Sequence, residues 1–137
     1  MDYGIRRIDY YYTTVRDQPG EAYQLLSQMA ELGLNLVAFT AVPMGPAHTQ
    51  LTLFPSDSGK MEAVAQRAGM AVDGPHSAIL VQGDDKLGAL AEIHERLYRA
   101  DVNVYASSGV TDGRGTFGYV VYVRPEDFQR AAEALGV

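Results

Sequence analysis

The chain has 137 residues, 47% of them hydrophobic and 20% charged, with 17 acidic against 11 basic side chains, a formal net charge of -6 and no cysteine. These figures exclude disulfides, thiolate metal sites and cysteine nucleophiles, and they argue against a disordered chain and against nucleic acid as a direct partner. No apolar run is long enough to span a bilayer, and the start, Met1 to Arg7, lacks the apolar core of a signal peptide. No membrane partner is therefore expected, and a cytoplasmic location is.

Tyr10 to Val15 is a β-prone run rich in tyrosine, threonine and valine. The residues before it, Tyr3 to Ile8, are left over at this stage. A helix is predicted from Pro19 to Leu32, with Asp17 placed to cap its free N–H groups and Pro19 in its first turn. Gly33 suits the left-handed residue that ends a helix. Strands are predicted at Leu34 to Ala41 and Thr49 to Phe54, joined through the turn chemistry of Met44-Gly45-Pro46. Met61, Val64, Ala65 and Ala68 mark the apolar stripe of a second helix. Met70-Ala71-Val72 reads as a fourth strand, and Asp73-Gly74-Pro75 as a break that closes a first module at residues 1–74.

The same order then recurs. Ser77 to Val81 is a strand and Leu87 to Ala100 an amphipathic helix, with Asp85 as its cap. Val102 to Ser107 and Thr116 to Val123 are strands linked by Asp112-Gly113-Arg114-Gly115, and Phe128, Ala131, Ala132 and Leu135 stripe a last helix. Shifted by 68 residues, Asp17, Gly20, Asn35, Ala38, Val42, Gly45 and Ala63 fall on identical residues. Ala22, Leu25 and Met29 fall on Leu90, Ile93 and Leu97, at the three- and four-residue steps of one helix face. The chain is thus a tandem repeat, residues 1–74 and 75–137, with no fourth strand after the last helix of the second copy. Tyr3 to Ile8 are available for that edge. Two βαββαβ units with right-handed crossovers give an α+β fold of antiparallel sheets carrying helices on one face.

Asp17-x-Pro19-Gly20, an amphipathic helix and then Gly33-x-Asn35-Leu36 resemble the signature of ACT domains, ferredoxin-like modules that bind amino acids and regulate metabolic enzymes. Asp85-x-Leu87-Gly88 and Asp101-x-Asn103-Val104 repeat the pattern, with leucine in place of proline and aspartate in place of glycine. The resemblance covers residues 8–137 and implies a free-standing pair of such modules. It further implies ligands placed between modules, one site using Arg16 to Gly20 with Asn103 and the other Gly83 to Gly88 with Asn35. The candidate ligand-binding residues are therefore Asp17, Gln18, Pro19, Gly20 and Asn35, together with Asp85, Lys86, Leu87, Gly88 and Asn103.

The chemistry of these residues suits a zwitterion. A turn feeding a helix N-terminus offers unpaired N–H groups to a carboxylate, glycine lets a ligand approach that turn, and asparagine both donates and accepts. Aspartate can hold an ammonium group. Each residue also has a plainer use. Asp17 and Asp85 serve as helix caps, the glycines as packing residues, and the asparagines as links between helix and strand.

His48, His76 and His94 have no spacing that suits a metal. Gly113-Arg114-Gly115 opens no helix and is no phosphate loop. Ser107-Ser108-Gly109 sits on a strand rather than at a nucleophile elbow. Tyr10-Tyr11-Tyr12 are expected to straddle a sheet. No catalytic residue, metal or cofactor is expected. The function expected is that of an allosteric amino-acid sensor, a homodimer with free amino acid as ligand and a metabolic enzyme as possible partner. Two alternatives remain open: a structural dimerisation module without ligand, and a metal enzyme of the glyoxalase and dioxygenase type, for which only His48 and Glu21 offer themselves.

Overall fold

Six strands and four helices follow one another in a computed structural model that describes residues 3–137. Met1 and Asp2, at the start of the first predicted module, lie outside the described residues. The elements are β1 (Tyr3–Arg16), α1 (Glu21–Glu31), β2 (Leu36–Met44), β3 (His48–Pro55), α2 (Ser58–Ala68), β4 (Asp73–Asp84), α3 (Ala89–Arg99), β5 (Ala106–Thr111), β6 (Thr116–Tyr122) and α4 (Phe128–Ala134). A short 3-10 turn, Pro125–Asp127, leads into α4. The chain divides into two compact units, Asp9–His76 and Ser77–Val137, the latter together with the N-terminal segment through Ile8.

In the unit formed by Asp9–His76 the strand order is β2-β3-β1-β4, with antiparallel pairing of β1 to β3 and of β2 to β3. Alternation along the strands sends Tyr11, Leu51 and Leu53 to one face, where they meet Met29 of α1 and Met61, Val64 and Ala65 of α2. Tyr10 and Tyr12 point the other way. Tyr10 lies 5.2 Å from Phe54 and 5.3 Å from His76, so the tyrosine triplet straddles its sheet.

In the other unit the order is β1-β4-β6-β5, and β6 pairs antiparallel with both β4 and β5. Ile79 and Val81 of β4 join Phe117, Tyr119 and Val121 of β6 under Ala89, Ile93 and Leu97 of α3 and Ala131 and Ala132 of α4. Tyr3 and Ile5 pack against this same core, and Arg7 Nη2 donates to the Val137 carbonyl at 2.9 Å. The N-terminal segment thus supplies the strand beside β4.

The repeat is realised bond by bond. Asp17 N–H donates to the Ala47 carbonyl at 2.9 Å and Asp85 N–H to that of Gly115 at 2.8 Å. Gln24 N–H reaches Gly20 and Glu92 N–H reaches Gly88, while Leu34 returns to Met29 and Val102 to Leu97. The hairpins match as well: Ala41 faces Leu51 and Gly109 faces Tyr119, both members displaced by the same 68 residues.

Several expectations are corrected. Residues 70–72 form no strand; Thr13 Oγ1 donates to the Ala71 carbonyl at 2.9 Å, tying that segment down by a side chain instead. β4 begins at Asp73 and runs straight through Gly74 and Pro75, so this triplet is strand rather than break. A Cβ on residue 74 would stand 2.7 Å from Tyr11 Cδ2 and 2.8 Å from the Tyr10 carbonyl, and only glycine lets the strand lie that close. α1 starts at Glu21, leaving Pro19 in the preceding turn, and α3 starts at Ala89, leaving Leu87 there. Among the described residues no helix is long and apolar enough to cross a membrane.

Candidate functional site

The turn after β1 and the turn after β4 are built alike. Gly20 and Gly88 are the N-caps of α1 and α3, at φ 86° and 84°, and neither helix has a side chain hydrogen bonded to its first turn. Asp17 and Asp85 are therefore not helix caps. Each is held by its own backbone N–H, which bonds to the far hairpin. Among the described residues the one aspartate cap is Asp57, whose side chain accepts from Lys60 N–H at the start of α2. A Cβ at Gly20 or Gly88 would meet nothing within 4 Å. Their glycines answer to the left-handed backbone, not to helix–sheet packing.

All eight loop candidates, Asp17 to Gly20 and Asp85 to Gly88, are exposed. The first N–H of each helix is used, from Glu21 to the Gln18 carbonyl and from Ala89 to that of Lys86, and the uncapped first turn carries positive partial charge. The loop after β4 also borders a cavity of about 700 Å³. Asp85, Lys86, Leu87 and Gly88 form one wall and Ala89, Leu90 and Ala91 of α3 a second. Gly109, Val110 and Thr111 of the edge strand β5 form the third, and Phe117 lies beneath. The sequence candidates Asp85 to Gly88 are thus brought together with seven residues that sequence reasoning did not select as a site. One signal for them existed: a glycine inside a strand, Gly109, marks a place where something approaches closely. Here it is the Tyr119 ring, 2.8 Å from where a Cβ would be.

Tyr3 buttresses this cavity from the N-terminal segment. Its ring meets Phe117 edge to face at 5.8 Å, its hydroxyl donates to Glu92 Oε2 at 3.0 Å, and Lys86 Nζ sits 5.5 Å from the ring centre. That last contact is within cation–π range and steadies the ammonium group beside the loop. Tyr119 carries its hydroxyl to His94 Nε2 at 2.6 Å.

Asn35 and Asn103 are exposed, each in the segment between a helix and an edge strand. Within its unit, Asn103 lies beyond the C-terminal end of α3 while Asp85 to Gly88 precede its N-terminal end. Eleven helical residues span about 16 Å. Asn35 stands in the same relation to Asp17 to Gly20 across α1. Neither unit brings its own asparagine to its own loop. A second cavity, about 590 Å³, lies in the Asp9–His76 unit against Tyr12 to Val15, Leu25, Gln50 and Met70 to Asp73, and contains none of the candidates.

His48 is exposed at the start of β3, His76 Nε2 is 3.3 Å from Asp73 Oδ2, and His94 is engaged with Tyr119. Among the described residues no three metal-ligating side chains gather.

No protein-family profile matches the sequence, and no curated protein matches it. Solved structures do. The protein BT0572 of Bacteroides thetaiotaomicron superposes with a TM-score of 0.79 at 17% identity, over 96% of this chain and 88% of that one. The ligand-free regulatory subunit of aspartate kinase from Thermus thermophilus gives 0.64 at 13% identity, over 98% and 95%. Its counterpart from Thermus flavus gives 0.58 at 14%, again over 98% and 95%. At such identities what is shared is the fold. The chain shares the fold of these structures, ferredoxin-like βαββαβ repeats with antiparallel strands and helices on one face, which is the fold that the resemblance to ACT domains implied.

Proposed function

We propose that the protein is a regulatory module without chemistry of its own, which binds a free amino acid and passes that state to a partner enzyme or to its own oligomer. The observation that carries this reading is the cavity bounded by Asp85 to Gly88, the uncapped start of α3 and the edge strand β5. A helix N-terminus beside Lys86 suits an α-carboxylate, and Asp85 suits an α-ammonium group. The likeness in fold to regulatory subunits of aspartate kinase supports the same reading. Asn35 and Asn103 belong to the proposal as exposed groups able to donate and accept, and Asp17 to Gly20 as the equivalent loop of the other repeat. Signalling requires only that the ligand favour one arrangement of the protein over another.

A thermal-shift panel of the free amino acids at millimolar concentration tests this. A ligand at one hundred times its Kd adds about 2.7 kcal/mol, which raises the midpoint by roughly 5 °C or more. At least one amino acid should do so. A panel with no shift would defeat the reading and favour a module that serves only for association.

A further inference from the structure

We infer that the second repeat is the one that holds the ligand, and that it selects an amino acid with an apolar side chain. This rests on the amino-acid reading proposed above and adds the location and the ligand class.

The cavity walls divide by chemistry. Asp85, Lys86 and Thr111 bring polar side chains, which the α-amino and α-carboxylate groups would use. The rest is carbon: Leu87, Ala89, Leu90, Ala91, Val110 and Phe117. Leu87, Leu90 and Val110 are exposed, with Leu87 wholly in solvent, so apolar surface stands ready for a partner. A charged ligand side chain would have to shed water against these walls without a counter-charge, and an aliphatic or aromatic one would gain by burial.

The two repeats are in register, so their walls can be compared position by position. Tyr23 of α1 stands where α3 has Ala91, Ala41 of β2 where β5 has Gly109, and Pro43 where β5 has Thr111. On the helix the second repeat has the small residue at 91, and its walls are the more apolar, with Leu90 where the first repeat has Ala22 and Phe117 where it has Thr49. In the first, a tyrosine occupies the helix position, and the cavity described above in that unit lies against other residues. The departures from the ACT pattern at Leu87 and Asp101 do not weaken the second site on this view. Leu87 is one of its apolar walls, and Asp101 is remote from it at the other end of α3.

Isothermal titration of the full chain tests the inference, with leucine, isoleucine, valine, methionine and phenylalanine set against aspartate, glutamate, lysine, arginine and serine. The apolar set should contain the tightest ligand, at least tenfold tighter than any charged amino acid, at one per chain. Ala91→Tyr, which copies the first repeat at an exposed helix position, should weaken binding at least tenfold with an unchanged thermal midpoint in the absence of ligand. Tyr23→Ala should leave it unaltered. Should Ala91→Tyr fold poorly, Val110→Asp on the exposed edge strand serves the same purpose. A charged amino acid as tightest ligand, two equal sites per chain, or binding indifferent to both cavity variants would overturn the inference while the amino-acid reading survives. Absence of binding by every amino acid would overturn that reading itself, and this inference with it.

Discussion

Asp112 shows how much one side chain can organise. Its carboxylate accepts from Arg114 N–H at 2.6 Å and Thr116 N–H at 3.2 Å, and from the Thr116 hydroxyl, so it closes the β5–β6 hairpin around Gly113 at φ 73°. The Thr116 hydroxyl first, and then the two backbone donors, hold its pKa below the usual carboxylate range. A carboxyl whose pKa is depressed on folding adds stability above its unfolded pKa, and that stability is lost as pH falls through the folded value. Asp112→Ala should therefore melt below the parent at about pH 7, and the gap should close in acid below the parent's shifted pKa. Thermal melts of both proteins across that range check this, and a gap independent of pH would refute it. In the sequence, Asp112-Gly113-Arg114-Gly115 was legible as a turn but not as a carboxylate-centred one. Which donors a side chain collects depends on the folded path of the hairpin, and Met44, at the equivalent position of the other repeat, offers no such centre.

At the scale of the element, helix ends were harder to read than helix faces. The buried positions Ile93 and Leu97 of α3 and Met61, Val64 and Ala65 of α2 follow from apolar spacing alone. The caps do not. Aspartate three residues before a glycine looks like a cap in letters, yet the bonds from Asp17 to Ala47 and from Asp85 to Gly115 are made across the sheet, which local spacing cannot reveal. The C-terminal end of α3 depends on distance in sequence too. Asp101 adopts φ 59°, the one described residue other than glycine with positive φ, where the first repeat has Gly33 at 79°. Arg130 of α4 compensates: its Nε donates to the Ala100 carbonyl and its Nη2 to that of Asp101, each at 2.9 Å, while Asp127 Oδ1 lies 3.0 Å from the same Nη2. The guanidinium meets these acceptors with two nitrogens held in one rigid plane, a geometry that the single nitrogen of an ammonium does not offer. Arg130→Lys should thus cost about 1 kcal/mol, the figure held low because the side chain is half exposed. It should also speed amide exchange at the end of α3, measured by hydrogen–deuterium exchange. A lysine variant indistinguishable from the parent in both would show that the fork carries no weight.

For the whole molecule, the consequential feature is that one unit is assembled from the two ends of the chain. Each core could be anticipated from periodicity, and so could the repeat, because each half encodes its own apolar faces. The use of Tyr3 to Ile8 is a long-range choice: a strand can serve any sheet edge with unpaired backbone groups, and only folding selects one. The selection has an energetic reason. Ile5 packs against the core of the Ser77–Val137 unit, Tyr3 against Phe117, and Arg7 reaches Val137. Fully burying an isoleucine is worth about 1.5–3 kcal/mol, of which the half-buried Ile5 gains a part, and an aromatic pair about 0.5–1.5 more, before the strand's backbone bonds are counted. Against a domain stability of about 5–15 kcal/mol, that segment decides whether the unit is well folded. Removing residues 1–8 should accelerate amide exchange throughout α3, β6 and α4, and leave α1 and α2 closer to the parent. Because Tyr3 also contacts Lys86 and Phe117 at the cavity, Tyr3→Ala alone should weaken amino-acid binding with a smaller loss of stability than the truncation. Uniform acceleration across both units after truncation would mean that they unfold as one cooperative body, and the N-terminal strand would then stabilise the whole chain rather than the unit it completes.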